Sequence, residues 1–310
     1  MRSVLLLFSR IRRLISTIPD NSRRLQRIQE ALGRIERRQL AVVPSARFGD
    51  SEFRVFSQWG EDGLIQYLLD RVPTPNRIFV EFGVENYLES NTRFLAVNDS
   101  WSGLVMDGSQ KNIAFIKADP ISWACQLKSA CAFITRENIN ELLESNGIAG
   151  DIGLLSVDVD GNDYWIWEAV SCISPRIVIC EYNSLFGPTA RVTTPYDPAF
   201  VRGNAHYSKV YYGASIAALE SLGRSKGYTL VGGNSAGNNC FFVRNDLATA
   251  LTQVNAEQAY RRARFRECHD ESGRLNHAGF EQQLACIGDL MVFDLDRQAL
   301  VKVSNVGRNE

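Results

Sequence analysis

Four oxygen-bearing side chains stand where two apolar runs stop. Ser156-Val157-Asp158-Val159-Asp160-Gly161-Asn162-Asp163 closes one run, and Cys180-Glu181-Tyr182-Asn183 closes the next. Residues two apart in an extended chain share a face, so Asp158 is expected to converge with Asp160, and Glu181 with Asn183, if strands reach that far. Grouped in this way they have two chemical uses. An acid among Asp158, Asp160 and Glu181 serves as general base for a substrate hydroxyl, or Asp158, Glu181 and Asn183 hold a hard cation such as Mg²⁺ that acidifies the hydroxyl and orients it. Asp163 precedes Tyr164-Trp165-Ile166-Trp167 and reads as a helix cap. Of three histidines, His206 alone falls in the long connection 183–212, beside Lys209, Tyr211 and Tyr212, as a candidate base or a plain loop residue. Phe186, Arg191, Tyr196 and Arg202 in the same stretch form an aromatic and basic mixture suited to stacking on a sugar ring or pairing with a phosphate.

A second pair of acids ends two earlier runs, in Val80-Glu81-Phe82-Gly83 and in Val105-Met106-Asp107-Gly108-Ser109. Glycine at 83 permits close backbone approach, Glu81 accepts from a ligand ammonium or from its own loop, and a carboxylate at 107 accepts two hydrogen bonds from a ribose diol. Together they point to a nucleoside-containing ligand.

Elements able to position these groups follow from the alternation of apolar runs with helical patterns, the mark of βαβ units. Strands are expected at Arg77–Phe82, Gly103–Met106, Ala132–Thr135, Gly153–Val157 and Arg176–Cys180, with helices between them. A helix over Gly213–Lys226 then precedes two strands with no helix between, Tyr228–Val231 and Asn239–Arg244. The polar turn Asn234–Asn239 joins them, as a plain hairpin loop or a rim of the site. Residues 247–265 read as a further helix, and Leu290–Val303 as a hairpin turning near Asp296 and Arg297.

Several of these segments together resemble the FkbM-like group of class I S-adenosylmethionine-dependent methyltransferases. They are Phe56-Ser57-Gln58-Trp59-Gly60-Glu61-Asp62-Gly63, the motif around Glu81, Asn91-Thr92-Arg93, Asp107-Gly108-Ser109, Ser156–Asp163, Cys180–Asn183, Tyr211–Ser215 and Asn239–Arg244. The similarity spans about residues 53–245. It implies a Rossmann-like α/β fold with a seven-stranded, mostly parallel sheet, helices on both faces and a C-terminal antiparallel hairpin. It also implies S-adenosylmethionine across the strand ends, lined by Glu81, Gly83 and Asp158, with Asp107, Gly108 and Ser109 on the ribose side. Gln58, Asn91 and Thr92 would meet the amino-acid part, and the acceptor would be a hydroxyl of a glycan or polyhydroxylated metabolite. Other readings are a non-catalytic assembly module on this fold and a nucleotide-sugar-binding enzyme. A second glycine usual in the first loop is replaced here by Asn86-Tyr87-Leu88.

The domain so defined covers 46–310, with an extension from about 247. Residues 1–45 form a basic arm and linker: residues 1–41 hold ten arginines against three acids, leaving a body of net charge about −8, which argues against a nucleic-acid partner. Leu25, Ile28, Leu32 and Ile35 follow a 3-4 spacing in an arginine-rich helix over 20–40 that Pro19 separates from what precedes. That helix packs on its own body or on a sister subunit, and residues 2–18, basic and apolar, are suited to an anionic membrane surface. The run Val4–Phe8 is too short for a signal peptide. Seven cysteines without a CxxC pair fit a reducing compartment and argue against a zinc site, so a cytoplasmic location, with or without peripheral membrane contact, is expected.

Overall fold

The computed structural model describes residues 21, 24–43, 47–265 and 267–306; segment 2–18, for which contact with a membrane surface is expected from sequence, lies outside them. A helix over 24–41, α1, realises the second half of the arm. The body then runs α2 (Glu61–Leu69), β1 (Ile78–Phe82), α3 (Arg93–Asp99), β2 (Ser102–Asp107), α4 (Gln110–Ala118), α5 (Ile121–Ala124), β3 (Leu127–Cys131), α6 (Ile139–Ser145), β4 (Gly150–Val157), α7 (Asp163–Ala169) and β5 (Ile173–Glu181). After β6 (Val192–Thr193) and α8 (Arg202–Ala205) come α9 (Ile216–Ser225), β7 (Tyr228–Gly233), β8 (Asn239–Arg244), α10 (Ala256–Ala259), α11 (Phe280–Cys286), β9 (Met291–Asp294) and β10 (Ala299–Lys302).

Seven strands form one sheet in the order β3-β2-β1-β4-β5-β8-β7. All neighbours as far as β5 are parallel, and β8 is antiparallel to both β5 and β7. This is the expected class I methyltransferase architecture. The central strands read as unbroken apolar runs because both faces are covered. Val80, Leu155, Val178 and Phe242 point into a core closed by Ile166 and Trp167 of α7 and Leu219 of α9. Phe79, Leu154, Ile177 and Phe241 point to the other side, onto Leu64 and Leu68 of α2 and Ile113 and Ile116 of α4. After β1 the chain winds through β2 to β3, then returns to β4 on the opposite side. The switch point therefore lies between the carboxyl ends of β1 and β4, where open sheets of this kind bind ligands.

Two expectations are corrected and a third is extended. The third strand lies at Leu127–Cys131, not at 132–135. As an edge strand it is only half buried and carries polar residues, whereas the apolar Ala132, Phe133 and Ile134 that suggested a strand form a loop lining a slot. Residues 247–265 are not one helix: only α10 and a 3-10 turn at Ala248–Ala250 are helical, and 260–265 run without regular structure. The hairpin at 290–303 is present, but β6, from the connection after β5, joins β9 and makes it a separate three-stranded sheet. Among the described residues no helix is long and apolar enough to cross a membrane.

Candidate functional site

The ends of β1, β2, β4 and β5 open into two adjoining hollows that share Gly83, Glu85 and Asp160. One, of about 410 Å³, is lined by Gln58, Glu81, Asn91, Asp158, Glu181, Arg202, Lys209, Asn239 and Glu267, among others. The other, of about 170 Å³, lies beside Asp107 and Gly108 and is walled by Met106, Phe133, Ile134 and Phe200. An apolar slot thus runs into a chamber rich in carboxylates.

Gly83 joins the two. Its φ of +69° suits glycine, and a Cβ there would stand 1.7 Å from the carbonyl oxygen of Asp158. The close approach inferred from sequence is therefore first an approach to the chain at the end of β4. Asp107 is held ready by its own loop: Oδ2 accepts from the Glu85 N–H at 2.9 Å, and Oδ1 from the Ser109 N–H at 2.7 Å and Asn112 Nδ2 at 3.0 Å. Oδ2, which accepts a single bond, retains acceptor capacity. Ser109 caps α4 and Thr92 is buried, and neither lines a hollow. Glu81 accepts from the N–H groups of Asn91 and Thr92 and from the Thr92 hydroxyl, so its carboxylate builds the loop that brings Asn91 to the chamber.

On the chemistry side the structure brings Asp158 and Glu181 together and leaves Asn183 out. Oxygens of Asp158, Asp163 and Glu181 lie within 4.8 Å of one another. Asp163 is committed, accepting from the N–H groups of Val159 at 2.8 Å and Gly161 at 2.9 Å, which fixes the turn after β4. The amide of Asn183 is committed too: Nδ2 donates to the carbonyls of Val210 and Tyr212, both at 3.0 Å, and Oδ1 accepts from the Leu185 N–H. It ties the connection after β5 to the sheet, a role that the i, i+2 spacing from Glu181 did not reveal. Glu181 is 6% exposed and its Oε2 has no hydrogen-bond partner. Burial pushes the carboxyls of both Asp158 and Glu181 up, and the negative charge of Asp158 raises Glu181 further. Two such acids side by side oppose each other's ionisation, so the pair holds a single proton readily.

Asp160 does not continue a strand face, since β4 ends at Val157 and Asp160 has φ +57°. It reaches the chamber rim instead and pairs with Arg202 at 2.8 Å. Arg202 also donates to the Lys209 carbonyl, lies 3.9 Å from the Tyr212 ring centroid and stands 3.8 Å from Glu267. Burial opposes its charge, but Tyr212, Glu181 and Asp160 hold it protonated. It is thus the counter-ion of the acidic chamber, and Arg191 pairs with Asp296, so neither guanidinium stands free for a phosphate. His206 lies away from the hollows, with Nδ1 2.7 Å from the Ser208 hydroxyl and its ring beside Tyr207; burial lowers its pKa.

Sequence reasoning missed Glu267, gave Lys209 no role, and had Asn239 only as the end of a turn that is a plain hairpin loop or a rim of the site. Asn239 pairs with Glu181 in the β5–β8 register and donates to Glu61 of α2 at 2.9 Å, with Asn234 donating to the same oxygen at 2.7 Å. Its signal was a polar residue opening an otherwise apolar strand. Glu267 arrives on the extension, where Tyr182 OH donates to the Arg261 carbonyl, Ala263 N–H donates to Ser184 Oγ and Phe265 stacks on Trp59.

No protein-family model and no curated protein match the chain. Among solved structures, it is similar to the N-terminal domain of EvdMO1 with SAH bound, at 13% identity and TM-score 0.37 over 68% of this chain and 94% of that one. A putative O-methyltransferase from Klebsiella pneumoniae gives 12% identity and TM-score 0.38 over 70% and 90%. An S-adenosylmethionine-dependent methyltransferase from Clostridium acetobutylicum gives 16% and 0.27 over 39% of this chain, which spans half of that protein's length. Likenesses this remote leave the assignment of function to the cleft itself.

Proposed function

We propose that the chain transfers a methyl group from S-adenosylmethionine to a hydroxyl of a sugar, glycan or other polyhydroxylated acceptor, in the manner of the FkbM-like group. The observation that carries this reading is the coexistence, in one cleft at the sheet's switch point, of Asp107 beside an apolar slot and the pair of half-buried Asp158 and buried Glu181. An apolar slot with a strand-end carboxylate suits an adenine and its ribose diol. The carboxylate-rich chamber suits the positive sulfonium end and an oxygen that must lose a proton.

When bound, the donor supplies an activated methyl group on sulfur. Asp107 accepts from the ribose hydroxyls, Gly83 and Asp158 border the donor, and Asn91 and Gln58 face its amino-acid part. The ionised member of the Asp158–Glu181 pair takes the acceptor proton, and the cleft walls would hold the acceptor oxygen in line with the methyl group. Arg202 limits the negative charge that this pair and Asp160 accumulate.

A metal-assisted form of the same reaction is favoured by one observation: Glu181 Oε2 is buried without a partner next to Asp158. Two carboxylates with the remaining positions left to water suit Mg²⁺. Asp158 and Glu181 would hold it and it would acidify the acceptor hydroxyl; Asn183, engaged with backbone, would not.

Incubating the protein with methyl-labelled donor and a panel of glycans tests the transfer, and calorimetry with S-adenosylmethionine tests the site. Binding that weakens ~10- to 100-fold in Asp107→Ala, the worth of one or two charge-assisted hydrogen bonds, supports the assignment. Absence of donor binding by folded protein refutes it. Activity surviving EDTA selects the proton-transfer form over the metal form.

A further inference from the structure

The arm helix is docked the wrong way round for a helix that serves only its own domain. Helix α1 meets the body through Gln29, which donates to the Val55 carbonyl, Arg37, which pairs with Asp99, and Gly33, which leaves no room for a side chain against Val55 and Phe94. Its apolar residues face outward: Leu25 is 66% exposed, Ile28 56%, Leu32 57% and Ile35 48%. A surface helix ordinarily buries that stripe and solvates the other.

We propose that this outward ridge is the pairing surface for a second copy of this chain. Three features select that occupant. The ridge keeps a strict 3-4-3 spacing, and four residues so placed span about 80° of the helix, the narrow seam of a two-helix coiled coil rather than the wider face of a helix lying in a membrane. Amides continue the seam at both ends, Asn21 in phase with Ile28 and Ile35, and Gln39 in phase with Leu25 and Leu32. A buried amide finds its like in a partner helix and fixes register there, whereas lipid offers it nothing. Finally, the helix is already folded and anchored on its body, so pairing does not carry the ordering cost that makes isolated short helices marginal.

The described helix, 24–41, is about 27 Å long and holds some two and a half heptads, fewer than the three to four of a self-sufficient coiled coil. The dimer therefore depends on each of the four apolar residues, and its population depends on concentration.

Sedimentation velocity of the full chain over about 1–100 µM tests this. The expected result is a species of twice the 34.8 kDa chain mass that grows with concentration. Leu32→Glu and, separately, Ile28→Glu should return it to a monomer at every concentration, with unchanged circular dichroism because both side chains already face solvent. A full chain that stays monomeric overturns the proposal, as does a dimer that survives both substitutions. A monomer that co-sediments with phosphatidylserine vesicles, and stops doing so in Ile28→Glu, assigns the ridge to a membrane surface instead.

Discussion

Replacing Gly83 by alanine perturbs the junction on which both halves of the cleft depend. The added Cβ meets the Asp158 carbonyl oxygen at 1.7 Å, against backbone that has no rotamer to change, and the residue must hold φ +69°. Left-handed backbone in a non-glycine residue costs about 1–2 kcal/mol, and forcing an extra carbon into a packed site adds about 1–3 kcal/mol. The sum is about 2–5 kcal/mol. With unfolding entropy near 2.1 cal/mol/K per residue, a 310-residue chain loses roughly 1.5 °C of Tm per kcal/mol, so a fall of about 3–7 °C is expected in a thermal melt. The clash must be relieved by moving the end of β1 away from that of β4, so donor affinity should fall at least ~10-fold in calorimetry. Gly108→Ala is the matched control: a Cβ there finds Phe133 at 3.7 Å, an ordinary contact, and stability should change little. A Gly83→Ala protein that melts within a degree of the wild type refutes the reasoning, and so does a Gly108→Ala protein that is equally damaged.

Asp62 holds the loop before α2 by accepting at 2.8 Å from the N–H groups of Val55, Phe56 and Ser57. Asp62→Ala strands these three buried donors, and urea titration should show a loss of at least about 3 kcal/mol, at about 1–3 kcal/mol for each donor left without a partner. Burial pushes the Asp62 and Asp163 carboxyls up to about 6, so the folded chain binds their protons more tightly than the unfolded one. Their contribution to stability is present below about pH 4 and is lost as pH rises to about 6; Asp62→Asn should remove its share of that slope from melts recorded across the range. Methyl transfer should rise with pH through a limb above the ordinary carboxylate range, because burial raises both Asp158 and Glu181. In Asp158→Asn the like charge beside Glu181 disappears, so the limb of the residual activity should move to lower pH while kcat falls ~10²- to 10⁴-fold. A limb that stays in place, or an unchanged rate, sinks the shared-proton account.

The sheet and the acid-bearing strand ends were legible because a strand buried on both faces is a plain apolar run and a polar residue that bounds it is conspicuous; β1, β4, β5 and β8 were read in that way. Edge strand β3 was misplaced because exposure removes the apolar signal and the loop that lines the slot borrows it. The finer roles of polar side chains did not follow from type and spacing. Glu81, Thr92 and Ser109 carry the residue types of ligand contacts, yet their hydrogen bonds build the loop and helix start that present Asn91 and Gly108. Asn183 looked like half of an acid-amide pair until its amide was found bonded to backbone on both sides. Arg202, which opens the four-residue helix α8, and Glu267, in a stretch without regular structure, meet at the chamber only through the fold, and neither segment is long enough to display a periodicity.

The position of β8 between β5 and β7 has a consequence for biogenesis. During synthesis, β1 to β5 can align as soon as residue 181 has emerged, but the outer border of β5 has no neighbour until residues 239–244 follow, and β7, made earlier, waits without one. For some sixty residues of elongation the nascent sheet presents the unpaired backbone of Ile177, Val178 and Ile179, an apolar template for joining other chains. Lowering the translation rate across 182–238 should therefore increase aggregation of this protein more than the same delay placed after residue 244.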